Sequence, residues 1–259
     1  MTASAGAVQL GAIARRAIVG TVRQPASWIP SMVFPLFFTA LSSAAFERTR
    51  NLPGFPEVSS FVAFLLAATI VQGVMFSATS AGDAVALDIE TGFFDRLIAS
   101  PVSRIAILGG RLAGTMVLGL VQALVFTGVL MLFGATMAAG VPGLLATMLM
   151  GALFAAAVGG FALMVGIRTG SAEAVQGFFP IFFALVFLSS AFFPPNLSGG
   201  WFEVVAGLNP ISYMVDGVRE LHVQGWDTGA ALTALAVPAL LAVVFMAGSL
   251  HALRRRLAA

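Results

Sequence analysis

The chain contains no cysteine and no lysine, and only 9% of its 259 residues are charged. Without cysteine there is no disulfide framework and no thiolate metal site. Without lysine the phosphate loop Gly-x-x-x-x-Gly-Lys-Ser/Thr cannot be written, so the ordinary cradle for ATP phosphates is missing. The two histidines, His222 and His251, stand far apart in the sequence. They offer no shared metal site, and no nucleophile–base–acid set is visible. Catalysis by this chain alone is not expected. The scarcity of charge excludes an ordinary soluble domain, which carries about 25% charged and about 45–50% apolar residues. Neither a charge run nor aromatic–basic alternation supports nucleic-acid binding.

What is present is apolar: 59% of the residues are hydrophobic, and the mean hydropathy is +1.00. A membrane-spanning helix needs about 20 mostly apolar residues. Six runs qualify: 28–46, 59–82, 105–133, 143–167, 174–193 and 230–253. They are continuous rather than alternating, which points to helices and not to a barrel. The expected fold class is an all-α membrane protein of six transmembrane helices in one domain. No cleavable signal precedes the first run, and the two halves do not repeat one another as in many secondary transporters. All basic residues being Arg, with abundant Ala and Gly, reads as the codon bias of a GC-rich genome.

Arginine placement sets orientation. In a six-span topology Arg15, Arg16, Arg23, Arg96, Arg104, Arg111, Arg168 and Arg254 to Arg256 fall on one side. Only Arg48, Arg50 and Arg219 fall on the other. The positive-inside rule then places both termini in the cytoplasm. Arg111 falls inside the third run, so the first two turns of that helix are expected to protrude from the bilayer.

The charges gather in the stretch Leu87-Asp-Ile-Glu-Thr-Gly-Phe-Phe-Asp-Arg96, between the second and third runs. Read as one helix over 83–99, Val85, Ile89, Phe93 and Leu97 recur at four-residue spacing, Phe94 and Ile98 widen that apolar face, and Asp88 and Asp95 fall away from its centre. Pro101 ends the helix, and Ser103 is placed to cap the next. A solvated connector and a docking helix for a soluble partner both fit this pattern. The N-terminal arm, 8–24, allows an amphipathic helix with Leu10, Ile13, Ala17 and Ile18 in lipid and Arg15 and Arg16 at head groups. A solvated lead-in fits it too.

Three regions together resemble the ATP-binding-cassette type-2 permease family. Glu90-x-Gly92 with Ser100-Pro101 is similar to the family's first intracellular loop. Gly92-x-x-Asp95-Arg96 followed by Pro101-x-x-Arg104 resembles its daunorubicin-resistance branch. Arg23-Gln24-Pro25 with Pro35-Leu36-Phe37-Phe38 resembles the approach to the first span, and Asn209-Pro210-Ile211-Ser212-Tyr213 the segment before the last. The resemblance implies a type V exporter fold: a connecting helix at 8–24, a cytoplasmic coupling helix at 83–100 and external re-entrant helices within 194–229. It implies a permease of the bacterial plasma membrane that works in pairs, identical or paralogous, docked on two copies of a separate ATP-binding subunit. ATP and Mg then belong to that subunit. The coupling residues would be Asp88, Glu90, Gly92, Phe93, Asp95, Arg96 and Pro101.

The segment after Phe193-Pro194-Pro195 shows Trp201, Val204, Val205 and Leu208, then Ile211, Met214, Val215, Val218 and Leu221, at helical spacing. Asp216, Arg219 and Glu220 lie opposite. Two helices resting on outer head groups fit, as does the lid over the exit that the family implies, with Trp201, Asn209, Pro210 and Tyr213 as gate residues. Spans two and five mix polar and aromatic residues, which suits an adaptable apolar ligand. Gln72, Met75, Phe76, Phe182 and Phe183 are the candidates for the substrate path, although Phe within a span also faces lipid or packs. The cargo of such a permease is a hydrophobic or amphipathic drug, antibiotic or lipid. The alternative, a self-sufficient secondary transporter or channel, predicts intramembrane acids; only edge residues such as Asp83 and Glu173 qualify.

Overall fold

A computed structural model describes residues 3–99 and 102–258. Pro101, expected to end the coupling helix, lies outside them, as do Ser100 and the side chains of Val8 and Leu10. Among the described residues the elements are helical, with no strand. In chain order they are α1 (Ala3–Val22), α2 (Pro25–Phe46), α3 (Phe61–Ala78), α4 (Ser80–Glu90), α5 (Phe93–Ala99), α6 (Arg104–Leu132) and α7 (Gly140–Thr169). There follow α8 (Ala172–Gln176), α9 (Phe179–Phe187), α10 (Pro195–Ser198), α11 (Gly200–Leu208), α12 (Pro210–Val223) and α13 (Thr228–Arg256).

Among the described residues, five helices are long and apolar enough to cross a membrane: Trp28–Asn51, Phe61–Glu90, Arg104–Leu132, Gly140–Thr169 and Thr228–Arg256. They account for five of the six runs. The remaining run, 174–193, forms no single long helix. Gly177 and Phe178 make a turn between α8 and α9, and Pro180, which has no N–H to give, sits in the first turn of α9. Nine residues of helix rise only about 14 Å.

The helix expected over 83–99 is likewise two helices. α4 continues α3 after a single bend at Thr79 and ends at Glu90. Gly92 then takes φ +68, a left-handed value open to glycine, and α5 restarts at Phe93. The four-residue periodicity therefore resets at Gly92. Ser103 does cap α6, its side chain accepting from the backbone N of Ala106.

α3 is the centre of the bundle. Its most apolar window is 94% buried, against 17% for α2 and 22% for α13; α2, α6, α7, α9 and α12 surround it. Lipid offers no hydrophobic gain for helix association, so close backbone approach and polar pins hold such bundles. Both are present. A Cβ on Gly119 would fall 2.6 Å from the Gly151 carbonyl oxygen, and one on Gly151 2.7 Å from that of Gly119, so only glycine permits this α6–α7 seam. Thr39 and Thr69 hydroxyls meet at 2.6 Å between α2 and α3. Gln122 of α6 donates to Ser31 and to the Gly73 carbonyl and accepts from Ser77.

α1 lies along the first half of α6 rather than only on a lipid surface. Ile13 and Ala17, expected in lipid, fill the grooves over Gly110 and Gly114. Glycines on α6 give α1 a closer surface than acyl chains can.

Replacing Gly119 with Val should destabilise the bundle by about 1–3 kcal/mol through overpacking. Gly128→Val, at a position with nothing within 4 Å of the added Cβ, is the matched control and should leave stability unchanged. Thermal unfolding midpoints in detergent read the difference.

Candidate coupling surface and membrane path

Two ends of the bundle can be told apart. α1, α4, α5, α8 and the C-terminus of α13 share the arginine-rich end: Gly170 adjoins Ile89 and Arg256, and Arg16 lies 4.5 Å from the Phe93 ring centroid. The opposite end gathers the 3₁₀ turn Glu47–Asn51, residues 133–139 and the segment from α10 to α12.

At the arginine-rich end Asp88 does not project toward a partner. Its carboxylate pairs with Arg111 of α6, both side chains being largely buried. The Arg111 guanidinium also stands 5.7 Å from the Phe94 ring. Phe94 is fully buried in a cluster with Val85, Ile107, Leu112, Leu163, Ile167 and Leu253. One ring thus sets α5 into the core that α4, α6, α7 and α13 share. Glu90, Asp95 and Arg96 are exposed, and Phe93 is half-buried under Arg16. Of the residues expected to meet a soluble partner, Glu90, Asp95 and Arg96 form an outer face, Gly92 shapes the turn, and Asp88 serves the interior. Phe94, read from the sequence only as widening the apolar face, is the anchor, and Arg111 was not expected in the site. Arg111 carried a signal: an arginine within an apolar span needs an acid nearby, and Asp88 is one of few.

Gln72 and Met75 are each 1% exposed, enclosed by the chain's own helices. Phe76 and Phe183 face each other in a run of rings that continues through Phe179, Phe187 and Phe192 to Phe38. Phe182 points elsewhere, edge-on to Phe161 of α7 at 5.1 Å. The structure thus brings Phe76 and Phe183 together and separates Phe182 from them. The exposed apolar residues near this seam, Phe34, Phe37 and Ile181, lie on α2 and α9.

At the opposite end α11 and α12 differ. Trp201, Val204 and Leu208 of α11 are exposed, whereas Ile211, Met214, Val215, Val218 and Leu221 of α12 are buried against α3 and α13. Asn209 is 5% exposed. It donates to the Leu185 and Leu188 carbonyls, closing the end of α9, and accepts from the Ile211 N–H, opening α12. Pro210 occupies the first turn of α12, and Tyr213 donates to the Gly207 carbonyl, tying α12 to α11.

Arg219, expected on the polar outer side of α12, instead points inward. It donates to Asp216 and to the Ser190 carbonyl and lies 4.1 Å from the Phe64 ring centroid. The irregular backbone after α9 needs donors, and Arg219 supplies one. Burial pulls its basicity down, against the opposing pull of Asp216. His222 is buried as well. Its Nδ1–H donates to the Thr136 carbonyl, and burial pushes its pKa down to about 4.

The fold and these surfaces define a multi-pass helical membrane subunit. Residues 8–222 match the family described as ABC-2 type transporter, and the chain belongs to that family as a permease subunit. It is 31% identical over 208 residues to the daunorubicin resistance ABC transporter permease protein DrrB1 of Streptomyces coeruleorubidus, covering 78% of this chain and 70% of that one. It is 25% identical over 229 residues to the transport permease ycf38 of Cyanophora paradoxa, and 25% over 217 residues to that of Porphyra purpurea. Each of these pairs covers 83% of this chain and 74% of the relative. Permeases of this family pair with ATP-binding subunits, and ATP binding generally resides there.

Asp88→Ala should cost about 3–5 kcal/mol by leaving Arg111 buried without its partner. The double variant Asp88→Ala, Arg111→Ala should recover part of that loss, measured by the unfolding midpoint. For His222 the folded pKa is depressed from 6.5 to about 4. Its contribution is therefore fully present above about pH 6.5 and is lost as pH falls toward 4, on the order of 3 kcal/mol in all. A melting series across that window should show the decline, and His222→Gln should flatten it.

Proposed function

We propose that this permease exports a hydrophobic or amphipathic molecule, paired with a second permease and powered by a separate ATPase that docks on α5. The daunorubicin-resistance relative supports a drug or antibiotic as cargo; a lipid has the same chemistry. The single observation behind the reading is the division of α5: Phe94 is locked into the interior while Asp95 and Arg96 face outward. A short helix anchored in this way passes a push from its outer face to α4, α6, α7 and α13 as a rigid body, and packed elements switch between discrete arrangements.

In this reading the arginine-rich end faces the cytoplasm of a bacterial cell, by the positive-inside rule. The broken segment Ala172–Phe187, with residues 188–193, makes a sixth crossing of the plasma membrane. The exposed faces of α2 and α9 meet the second permease, with Phe76 and Phe183 walling the path and Gln72, Met75 and Phe182 supporting it from within. α11 and α12 form the external lid, Trp201 at its edge and Asn209, Pro210 and Tyr213 at its hinge. Two ATP-binding subunits carry ATP and Mg.

Co-reconstitution with its ATP-binding partner subunit should give ATP-dependent, one-way movement of a labelled amphiphile; movement without ATP, or none, overturns the exporter reading. Asp95→Ala should lower substrate-stimulated ATP hydrolysis several-fold without lowering assembly, and normal stimulation would remove α5 from the docking role. Because the chain has no cysteine, Arg96→Cys creates a single labelling site. It should react with an impermeant maleimide only from the cytoplasmic side.

A further inference from the structure

A cleft of about 580 Å³ opens at the arginine-rich end between α1, α4 and α6 and runs inward to Trp28, Ser77 and Leu118. It lies apart from the aromatic seam: none of Gln72, Met75, Phe76, Phe182 or Phe183 lines it. Its size is that of a pocket for a drug-sized molecule, for which about 300–1,000 Å³ is typical.

Three polar groups in its walls are unsatisfied. The indole Nε1 of Trp28, Oδ1 of Asp83 and Nε of Arg111 are buried without a hydrogen-bond partner. Buried polar atoms in native proteins are nearly always paired; these three lie behind the cleft wall with almost no surface open to it, and make that wall polar. The charges differ in their balance. Arg111 is neutralised by Asp88, and Arg16 rests on Phe93. Asp83 has only a neutral partner, the Gln176 amide, which donates to Oδ2 at 2.6 Å. Among the described residues no arginine pairs with it. The cleft therefore carries three carboxylates, Asp83, Asp88 and Glu90, against two guanidiniums. An acid within a membrane helix without a countercharge favours a cation in its place. Beside it, Trp28 offers an aromatic surface, the face that attracts cations most strongly, and Leu118 and Ala17 offer apolar walls.

We propose that this cleft is the loading site for cargo from the arginine-rich side, and that the cargo is a cationic amphiphile. Its positive group would meet Asp83, and its apolar body would lie against Trp28 and Leu118. The assignment rests on the exporter reading, which it narrows from any amphipathic molecule to a positively charged one. Glu90 at the exposed rim draws the cation in, and the chain's own α1 forms one wall. The site is therefore complete within one permease.

The test uses the full chain in nanodiscs of neutral phosphatidylcholine. With Trp201→Phe and Trp226→Phe, Trp28 is the sole indole. Ethidium, a cationic aromatic dye, should quench Trp28 saturably. Asp83→Asn should weaken that binding about tenfold, and Asp83→Glu should restore it. Nile red, a neutral dye, should bind both forms alike. The proposal is overturned if ethidium leaves Trp28 emission unchanged or if Asp83→Asn binds it as the parent does. It also falls if Nile red loses affinity in the same proportion, because the substitution would then have damaged the cleft rather than its charge. ATP-driven movement of ethidium by the reconstituted complex is scored separately. Movement with unaltered binding in Asp83→Asn rejects the site and keeps the exporter, whereas Asp83-dependent binding without movement keeps the site and rejects the exporter.

Discussion

An arginine can lie inside an apolar helix of this bundle because an acid reaches it from the neighbouring one. The Asp88–Arg111 pair joins α4 to α6 where both leave the most apolar part of their length. Each ion alone would be costly in a low-dielectric interior; together they form a clasp that resists separation of the helices. Arg111 also covers the Phe94 ring, so the same residue fastens α5. α5 is therefore held by one buried ring in the core shared with α4, α6, α7 and α13, next to the ion pair that joins α4 to α6.

The rest of the bundle follows from the solvent. Between helices in lipid, association comes from contact density and hydrogen bonds rather than from escape from water. Gly119 and Gly151 bring α6 and α7 to backbone contact, and Gly82 and Gly166 do the same for α4 and α7. Hydroxyl and amide groups then pin α2 to α3 and α6. α3 ends up enclosed. Apolar side chains stay open on α2, α6, α7, α9, α11 and α13, where lipid can lie. The opposite end is held differently. There the backbone leaves the helical state after α9; Asn209 and Arg219 donate to its free carbonyls, and the Ser212 hydroxyl accepts from the Ser190 N–H, replacing partners that the missing helical turns would have provided.

Much of this was legible in residue order. Five long apolar runs became five long helices, since a run of about 20 apolar residues in a bilayer has few alternatives to helix. Ser103, placed before Arg104, capped α6 as its type and position suggest. The misreadings have local causes. A single helix over 83–99 ignored what glycine permits at Gly92; with the register reset, Phe94, read as the edge of the apolar face, is the buried ring and Phe93 is only half-buried. The run 174–193 was long enough to span, but Gly177 and Pro180 divide it. Arg219 was read as exposed from its place on the helical wheel, because a wheel does not show that a broken backbone elsewhere needs a donor.

The sequence by itself determined that the chain lives in a membrane, that it is helical, that it lacks the usual means of holding ATP and that its charges gather in one short loop. Those properties depend on composition and on local spacing. Tertiary structure alone decided which charges are spent inside the protein and which are offered outside. It set Asp88 against Arg111 across 23 residues, turned Arg219 inward and left Asp83 without a cation beside an inner cleft. Pairing energy depends on the distance between groups in space, and only the packing of the helices sets that distance.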